Sequence, residues 1–205
     1  MQLHKRALVT KALEILDNYG LADLTMRRLA RELEVTPGAL YWHFANKQEL
    51  LGAVADDILA PVCSPAQAAD WQSSITTLCS RLRDALLSHT DGAELVSASF
   101  STGQSTAVSA VLERLAEAAV DAGTTPARAE LAARTIVHYV LGFTGDEQSR
   151  LQWDAAGALP AEQSAFDPAA APGAAFDFGL SLLIDGLAVQ AAASAQTRDR
   201  AANYP

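Results

Sequence analysis

The sequence has few cysteines, and their placement excludes two classes of protein. Of its 205 residues only 2 are cysteines, Cys63 and Cys79. Their spacing matches neither a metal site nor the disulfide framework of a small secreted domain. We therefore expect two buried thiols, behaving as small apolar side chains, in a protein of a reducing compartment.

The sequence also lacks an uninterrupted apolar run of the roughly 18 residues that a transmembrane helix requires. Its first apolar segment contains charges that the core of a signal peptide would not tolerate, namely Lys5, Arg6, Lys11 and Glu14. These absences predict a soluble cytoplasmic protein with no membrane partner.

Positive charge is scarce overall, but the two parts of the chain differ. The net charge is −9, and half of the residues are hydrophobic. Residues 1–50 hold seven Lys and Arg against six acids, whereas residues 51–205 hold eight against eighteen. Such asymmetry fits a small segment that contacts phosphates, attached to an acidic body that its own field keeps away from DNA.

The N-terminal segment begins with two predicted helices. Apolar spacing over residues 3–19 gives one helix face, and Gly20 supplies the end. Thr25 can cap a second helix, in which Leu29 lies on the apolar face. Cations occupy its other faces: Arg27, Arg28 and Arg31.

A third helix is predicted over residues 36–44, where Thr36 caps and Pro37 takes the first helical position. Asn46, followed three residues later by a glutamate, has the pattern of a capping box for a fourth helix, which should end before Pro61. Three helices with a short connection between the second and third outline a helix-turn-helix motif.

Four consecutive bulky rings stand out in the third helix: Tyr41, Trp42, His43 and Phe44. Consecutive helical residues point about 100° apart, so these cannot all face one core. We expect Leu40 and Phe44 to be buried and the other three to be exposed for contact with a DNA groove. The alternative is that Tyr41 is buried and Trp42 only covers the first helix.

Residues 24–51, LTMRRLARELEVTPGALYWHFANKQELL, resemble the tetracycline-repressor family of regulators. The resemblance implies an all-α fold with an N-terminal three-helix helix-turn-helix domain and a larger helical domain for ligand binding and dimerisation. It implies a homodimer that binds a palindromic double-stranded DNA operator and is released by a small-molecule effector. The expected divisions are 1–46 for DNA binding, 47–63 for a connecting helix and 64–205 for the body.

For DNA binding, the resemblance implies that Arg27 contacts a base or a phosphate and that residues 36–39 contact base edges. The residues that follow would contact the DNA backbone. The full set is Arg27, Arg28, Thr36, Pro37, Gly38, Ala39, Tyr41, Trp42, His43 and Lys47. Glu34 departs from the family, which has glycine there. A left-handed backbone at Glu34 would cost on the order of 1 kcal/mol.

The body is expected to be helical, with an Ala- and Pro-rich loop over residues 154–173. The expected helices span 70–88, 91–98, 104–122, 126–148 and 174–193. Residues 85–93 and the segment FDFGLSLLIDGL resemble the body and the last dimerisation helix of tetracycline repressors. However, Val96 and Ser97 stand where those repressors have a histidine that helps to hold magnesium–tetracycline. We therefore expect a different effector, with neither a metal site nor a cofactor.

The effector pocket is expected to be mostly apolar with a few polar groups. Its candidate residues are Phe100, Thr102, Gln104, Leu112, His138, Leu141, Phe143 and Trp153. Two alternatives stay open: a helical ligand-binding protein that does not bind DNA, and an enzyme that uses His138, Asp146 and Glu147, or His89 with Asp91. No nucleophile elbow, phosphate loop or metal-ligand pair supports an enzyme. We expect His89 to satisfy a helix terminus.

Overall fold

A computed structural model of the protein describes residues 4–64, 68–158 and 172–202, with the side chains of the last helix described up to residue 193. Within these ranges the chain forms α-helices and one short 3-10 helix, Leu21–Asp23, and no strand. The predicted all-α fold is confirmed. The helices are α1 Lys5–Tyr19, α2 Met26–Glu32, α3 Pro37–Leu40, α4 Lys47–Cys63, α5 Trp71–Leu87, α6 Gly92–Thr102, α7 Thr106–Asp121, α8 Pro126–Ala155 and α9 Pro172–Ala202.

The chain divides into two compact units. Unit 1 comprises Met1–Ser64 and Leu82–Ala110, and unit 2 comprises Pro65–Arg81 and Val111–Pro205. Helices α5 and α7 each begin in one unit and end in the other along the chain. Unit 1 thus combines the predicted DNA-binding segment with α6. The division at residues 46 and 63 stays a prediction.

The predicted apolar face of α1 forms part of the core of unit 1. Its buried residues include Leu8, Ala12, Ile15 and Leu16. Gly20 ends the helix with φ 79°, and its N–H donates to the Leu16 carbonyl at 2.8 Å. Tyr19 was expected on this face but is 54% exposed, because its ring lies 3.6 Å from the Arg28 guanidinium outside the core.

Two of the predicted helix caps are formed by side chains. Thr25 Oγ1 accepts from the Arg28 N–H at 3.1 Å, and Asn46 Oδ1 accepts from the Glu49 N–H at 3.0 Å. Helices α2 and α4 therefore begin where the sequence predicts. Pro37 opens α3 as expected, whereas the Thr36 side chain makes no capping hydrogen bond.

Helix ends were predicted less well than helix starts. Helix α3 ends at Leu40, four residues earlier than expected, and α8 continues to Ala155 rather than 148. Helix α4 runs through Pro61 to Cys63, although the proline was expected to stop it. Val62 is fully buried, and this packing holds the last turn. Of the predicted loop 154–173, residues 154–155 belong to α8 and 172–173 to α9, and 159–171 lie outside the described residues.

The two cysteines differ. Cys79 is buried as expected, and burial raises the pKa of its thiol to about 12. Cys63 is exposed, so its predicted burial is wrong. It lies in the last turn of α4, next to the side chain that packs inward.

In unit 2, α9 packs on α8 around Tyr139. The Tyr139 hydroxyl donates to the Phe176 carbonyl at 2.8 Å, and its ring stacks on Phe176 with 5.6 Å between centroids. Phe143 completes the aromatic cluster. Gly179 lies against this ring, where a Cβ would overlap the tyrosine hydroxyl. The glycine therefore permits the close approach of the two helices.

The segment Gly173–Ala193 of α9 is long and apolar enough to span a membrane, with a mean hydropathy of 1.4 in its most apolar window. The prediction of no membrane span from the sequence missed this segment, because its apolar residues do not form one uninterrupted run. Length and composition alone are weak evidence for a membrane span. Asp177 and Asp185 also lie within the segment.

Candidate nucleic-acid interface

The turn between α2 and α3 contains a left-handed residue, Glu34, with φ 55°. The Glu34 N–H donates to the Arg31 carbonyl at 3.1 Å, and the Val35 N–H donates to the Ala30 carbonyl at 2.9 Å. The left-handed conformation that would disfavour a glutamate is therefore present. It closes the end of α2 and directs the chain into α3.

Residues 40–44 include a buried pair and an exposed pair, as predicted, whereas His43 does not reach its predicted exposure. Leu40 and Phe44 are completely buried, whereas Tyr41 is 53% exposed and Trp42 is 90% exposed. His43 is half-buried. The N–H groups of His43 and Phe44 both donate to the Leu40 carbonyl, at 2.9 and 3.0 Å. A tight turn, rather than the predicted continuous helix, thus presents the exposed rings.

Small residues form the exposed surface at the start of α3. Thr36, Pro37 and Gly38 are exposed, and Ala39 is half-buried. A Cβ added at Gly38 would have only Thr36 Oγ1 within 4 Å, at 3.9 Å. Neither packing nor backbone geometry within the described part of the chain therefore requires a glycine at position 38.

Three cations of this segment are available to a partner to different degrees. Arg27 is exposed, the Arg31 side chain is 72% exposed, and Lys47 is half-buried at the first position of α4. Arg31 was predicted to lie on a face of α2 but was not among the predicted DNA contacts. Leu29 and Ala30 lie on the buried face of α2. Arg31 follows them near the end of the helix, so its exposure could have been predicted.

Arg28 is used within the segment itself. Its guanidinium donates to Asp23 Oδ1 at 2.7 Å and lies 3.7 Å from a Glu32 oxygen. The guanidinium also stacks on Tyr19, and only 17% of the Arg28 side chain is exposed. These contacts join α1, the 3-10 helix and α2. No local pattern in the sequence predicts the pairing with Tyr19.

The candidate pocket residues are distributed over both units. Phe100, Thr102 and Gln104 lie in unit 1, whereas Leu112, His138, Leu141, Phe143 and Trp153 lie in unit 2. Leu141 is buried, Trp153 is 62% exposed and His138 is exposed. Phe143 belongs to the aromatic cluster of α8 and α9. The effector pocket stays a prediction.

The structure shows where the histidines and acids of the enzyme alternative lie. His89 Nδ1 lies 3.1 Å from both carboxylate oxygens of Asp17, in the last turn of α1. Its expected role at a helix terminus stays a prediction. Asp146 is exposed and Glu147 is half-buried on α8. Among the described residues there is no group of three His, Cys, Asp or Glu that could hold a metal ion.

Two family models match the chain. The model of the bacterial regulatory proteins of the tetR family matches residues 8–54, and that of the tetracyclin repressor-like C-terminal domain matches residues 64–191. The chain belongs to the tetR family. It is therefore a DNA-binding transcriptional regulator, and regulators of this family are in general not enzymes.

Relatives of known function cover nearly the whole chain. The class A tetracycline repressor protein of Escherichia coli is 34% identical over 202 residues, covering 91% of each chain. The crystal structure of Mycobacterium smegmatis BioQ is 59% identical with a TM-score of 0.85, covering 92% of this chain and 99% of BioQ. A structure of a BioQ with its double-stranded DNA operator is 57% identical with a TM-score of 0.80, covering 91% of this chain and 99% of that one.

Proposed function

We propose that this protein represses transcription by binding a palindromic DNA operator as a homodimer, and that a small molecule bound by its body releases it. The observation that carries this proposal is the exposure of Tyr41 and Trp42 beside Gly38. They lie on a turn that Leu40 and Phe44 anchor in the core. An anchored turn with exposed rings that follows small exposed residues suits a duplex groove.

The proposed DNA contacts come from the residues before Leu40 and from those after it. Residues 36–39 are small and exposed enough to approach base edges, and Tyr41, Trp42 and His43 lie where they can contact the sugar–phosphate backbone. Arg27 and Lys47 supply positive charge for phosphates. Arg31 joins this set because its side chain is largely exposed.

Arg28, predicted to contact DNA, fits a different role. Its charge is paired with Asp23 and stacked on Tyr19. A phosphate would have to compete with both contacts. We therefore propose that Arg28 holds the DNA-binding segment together and that its neighbours bind the operator.

Homodimerisation is supported by two apolar stripes on opposite sides of α9. Phe176, Leu180, Leu187 and Ala191 are buried within this chain. The other stripe is exposed: Phe178 is 67%, Leu182 is 56% and Val189 is 67% exposed. Each buried member of the first stripe is two positions from an exposed member of the second, which corresponds to about 200° around the helix axis. A second copy of α9 would cover the exposed stripe. Such a dimer explains the high hydropathy of α9 without a membrane.

The effector is proposed to be a small molecule other than magnesium–tetracycline. Val96, one of the two positions for the expected histidine, is an apolar residue that is 2% exposed. Ser97, the other, has a hydroxyl rather than an imidazole. Release requires that the effector bind better to the conformation that does not fit the operator.

The DNA-binding proposal is tested by operator affinity. Wild-type protein first selects bound fragments from the genomic DNA of its source, and fluorescence anisotropy then gives Kd on those fragments. Tyr41→Ala and Lys47→Ala should each weaken binding about tenfold, as expected for the loss of one hydrogen bond to a charged phosphate.

Arg150→Ala, an exposed cation of the body, serves as the charge control and should bind like wild type. Circular dichroism should show the same helix content in all variants. If neither Tyr41→Ala nor Lys47→Ala changes affinity for any fragment, the DNA-binding surface has been placed on the wrong residues.

A further inference from the structure

Lys5 carries a positive charge at the edge of the core of unit 1. It lies three residues before Leu8 and four before Val9, so it continues the buried stripe of α1 toward the start of the helix. Side chains on a helix lean toward its N-terminus, which carries the end of the lysine past the edge of this core. Lys5 is exposed, as expected for a lysine whose apolar stem covers core residues and whose ammonium reaches water.

The aromatic ring next to this ammonium belongs to the turn that exposes Tyr41 and Trp42. Lys5 Nζ lies 4.9 Å from the centroid of the Phe44 ring, within the range of a cation–π contact. Phe44 is completely buried and follows Trp42 by two residues. The contact therefore brings a cation of α1 to the turn that forms the proposed DNA-binding surface.

The ring holds the ammonium of Lys5 without neutralising it. Among the described residues Lys5 has no ion pair, and the first turn of α1 contains no acid. Other cations of the segment differ, because Lys11 is paired with Glu14 and Arg28 with Asp23. An aromatic ring attracts a cation through its quadrupole and carries no net charge. The charge of Lys5 is thus held in place and remains available to an anion.

We infer that Lys5 contacts a phosphate of the operator, so that α1 forms part of the DNA-binding surface. This inference rests on the proposed function and extends it to a helix that the proposed contacts do not include. A compact ammonium on a flexible stem suits a phosphate oxygen, which it can approach from several directions. Phosphate contacts orient a protein on the duplex and carry no sequence information. Lys5 should therefore strengthen binding to any duplex.

The test measures how DNA affinity depends on salt. Each contact between a cation and a phosphate releases counterions, so the binding constant falls with salt concentration, with a logarithmic slope of about 0.9 per contact. The probes are an operator fragment selected by the wild-type protein and a duplex of unrelated sequence. The proteins are wild type, Lys5→Met, Lys5→Arg and Lys11→Met. Methionine keeps an unbranched apolar side chain over Phe44 while it removes the charge.

Lys5→Met should weaken binding to the selected operator about tenfold and reduce the salt slope by about 1.8, which is about 0.9 for each protomer of the dimer. The unrelated duplex should show a similar loss. Lys5→Arg should keep the wild-type slope, because arginine retains the charge.

Lys11→Met is the matched control, because it makes the same change of charge on the same helix at a lysine that is paired with Glu14. It should keep the wild-type slope. The urea midpoint of Lys5→Met should not fall below that of wild type, since the variant keeps an apolar cover on Phe44 and removes a cation from the start of a helix.

Three results would overturn the inference alone. Lys5→Met could bind like wild type, or it could lose affinity while it keeps the wild-type salt slope, which would mean that Lys5 acts only through folding. In the third, Lys11→Met reduces the slope as much as Lys5→Met, which would mean that any positive charge on α1 has the same effect. A wild-type protein that selects no DNA fragment would instead overturn the DNA-binding function on which the inference rests.

Discussion

Two surfaces of this chain expose large apolar side chains, and they differ in the groups that accompany those side chains. After α3, Tyr41 and Trp42 carry an O–H and an N–H on their rings, with Lys47 nearby in the chain. On α9, Phe178, Leu182 and Val189 carry no hydrogen-bonding group.

The difference indicates two kinds of partner. Rings with a polar tip can contact a hydrated, charged surface and a groove at the same time. Purely apolar side chains are matched only by other apolar side chains. Exposure alone therefore does not identify a partner, whereas the chemistry of the exposed groups separates nucleic acid from protein.

The largest expected effect follows from a charge on the α9 surface. Leu182→Asp would bury an unpaired carboxylate in the proposed dimer, at a cost of several kcal/mol. We expect the dimer dissociation constant to rise by about a thousandfold or more, and sedimentation to show a monomer at micromolar concentration. Leu182 is 56% exposed in the single chain, so the fold itself should persist.

Val120→Asp provides the control for this change, because Val120 is an apolar residue of α7 that is 43% exposed. It should leave the dimer intact. A dimer that survives Leu182→Asp would show that the two exposed surfaces do not differ in the proposed way.

The next largest effect is a loss of operator affinity, expected at one of two exposed tryptophans. Trp42 is 90% and Trp153 is 62% exposed. Trp42→Ala should weaken operator binding by about thirtyfold, the size expected for a large aromatic contact residue. Trp153→Ala should leave it unchanged, and neither should lower Tm by more than about 2 °C. Equal losses of affinity in the two variants would remove the special status of the surface after α3.

Two glycines are expected to respond differently to the addition of a methyl group. Gly38→Ala adds a methyl group that meets nothing closer than 3.9 Å among the residues that the structure describes. Alanine favours the helix by about 0.5–1 kcal/mol, so stability should be unchanged or higher. Operator affinity should nevertheless fall by about tenfold, because the methyl group would hold base edges away.

Gly52→Ala is the opposite case, because its Cβ would overlap the Gln104 carbonyl oxygen within the chain. Urea unfolding should therefore show the larger loss of stability for Gly52→Ala. Operator titration should show the larger loss of affinity for Gly38→Ala. If Gly38→Ala binds DNA like wild type, the start of α3 does not approach the bases.

The sequence predicted those features that depend on neighbouring residues. The caps at Thr25 and Asn46 and the stop at Gly20 are local hydrogen-bonding arrangements, and all three were correct. The buried pair Leu40 and Phe44 followed from helical spacing. Each of these depends on residues within about one helical turn.

Features set by distant residues could not be predicted. Helix α4 passes Pro61 because Val62 is held in the core. The partners of Asp17 lie 72 and 73 positions later, and those of Asp56 lie 49 to 51 positions later. No local pattern encodes such pairs. The effector pocket has the same difficulty, because apolar residues that line a cavity have the same sequence pattern as those of a core.

The smallest expected effect concerns Glu34, left-handed in the turn between α2 and α3. Glycine would relieve about 1–2 kcal/mol of strain. It would also raise the entropy of the unfolded chain, which offsets about 0.4–1 kcal/mol. Glu34→Gly should therefore stabilise the protein by about 0.5 kcal/mol, seen as a higher urea midpoint with an unchanged m value. Operator affinity should change by less than about threefold, since Glu34 makes no proposed DNA contact.

Asp91→Gly distinguishes this explanation from a general benefit of glycine at left-handed positions. Asp91 has nearly the same φ, but its carboxylate accepts the Leu21 N–H. Removing a hydrogen bond to a charged group costs about 1.5–3 kcal/mol, which exceeds the relief of strain after the entropic offset. Asp91→Gly should therefore lower the urea midpoint while Glu34→Gly raises it. If both variants are stabilised, the contact between α1 and the turn before α6 contributes little to folding.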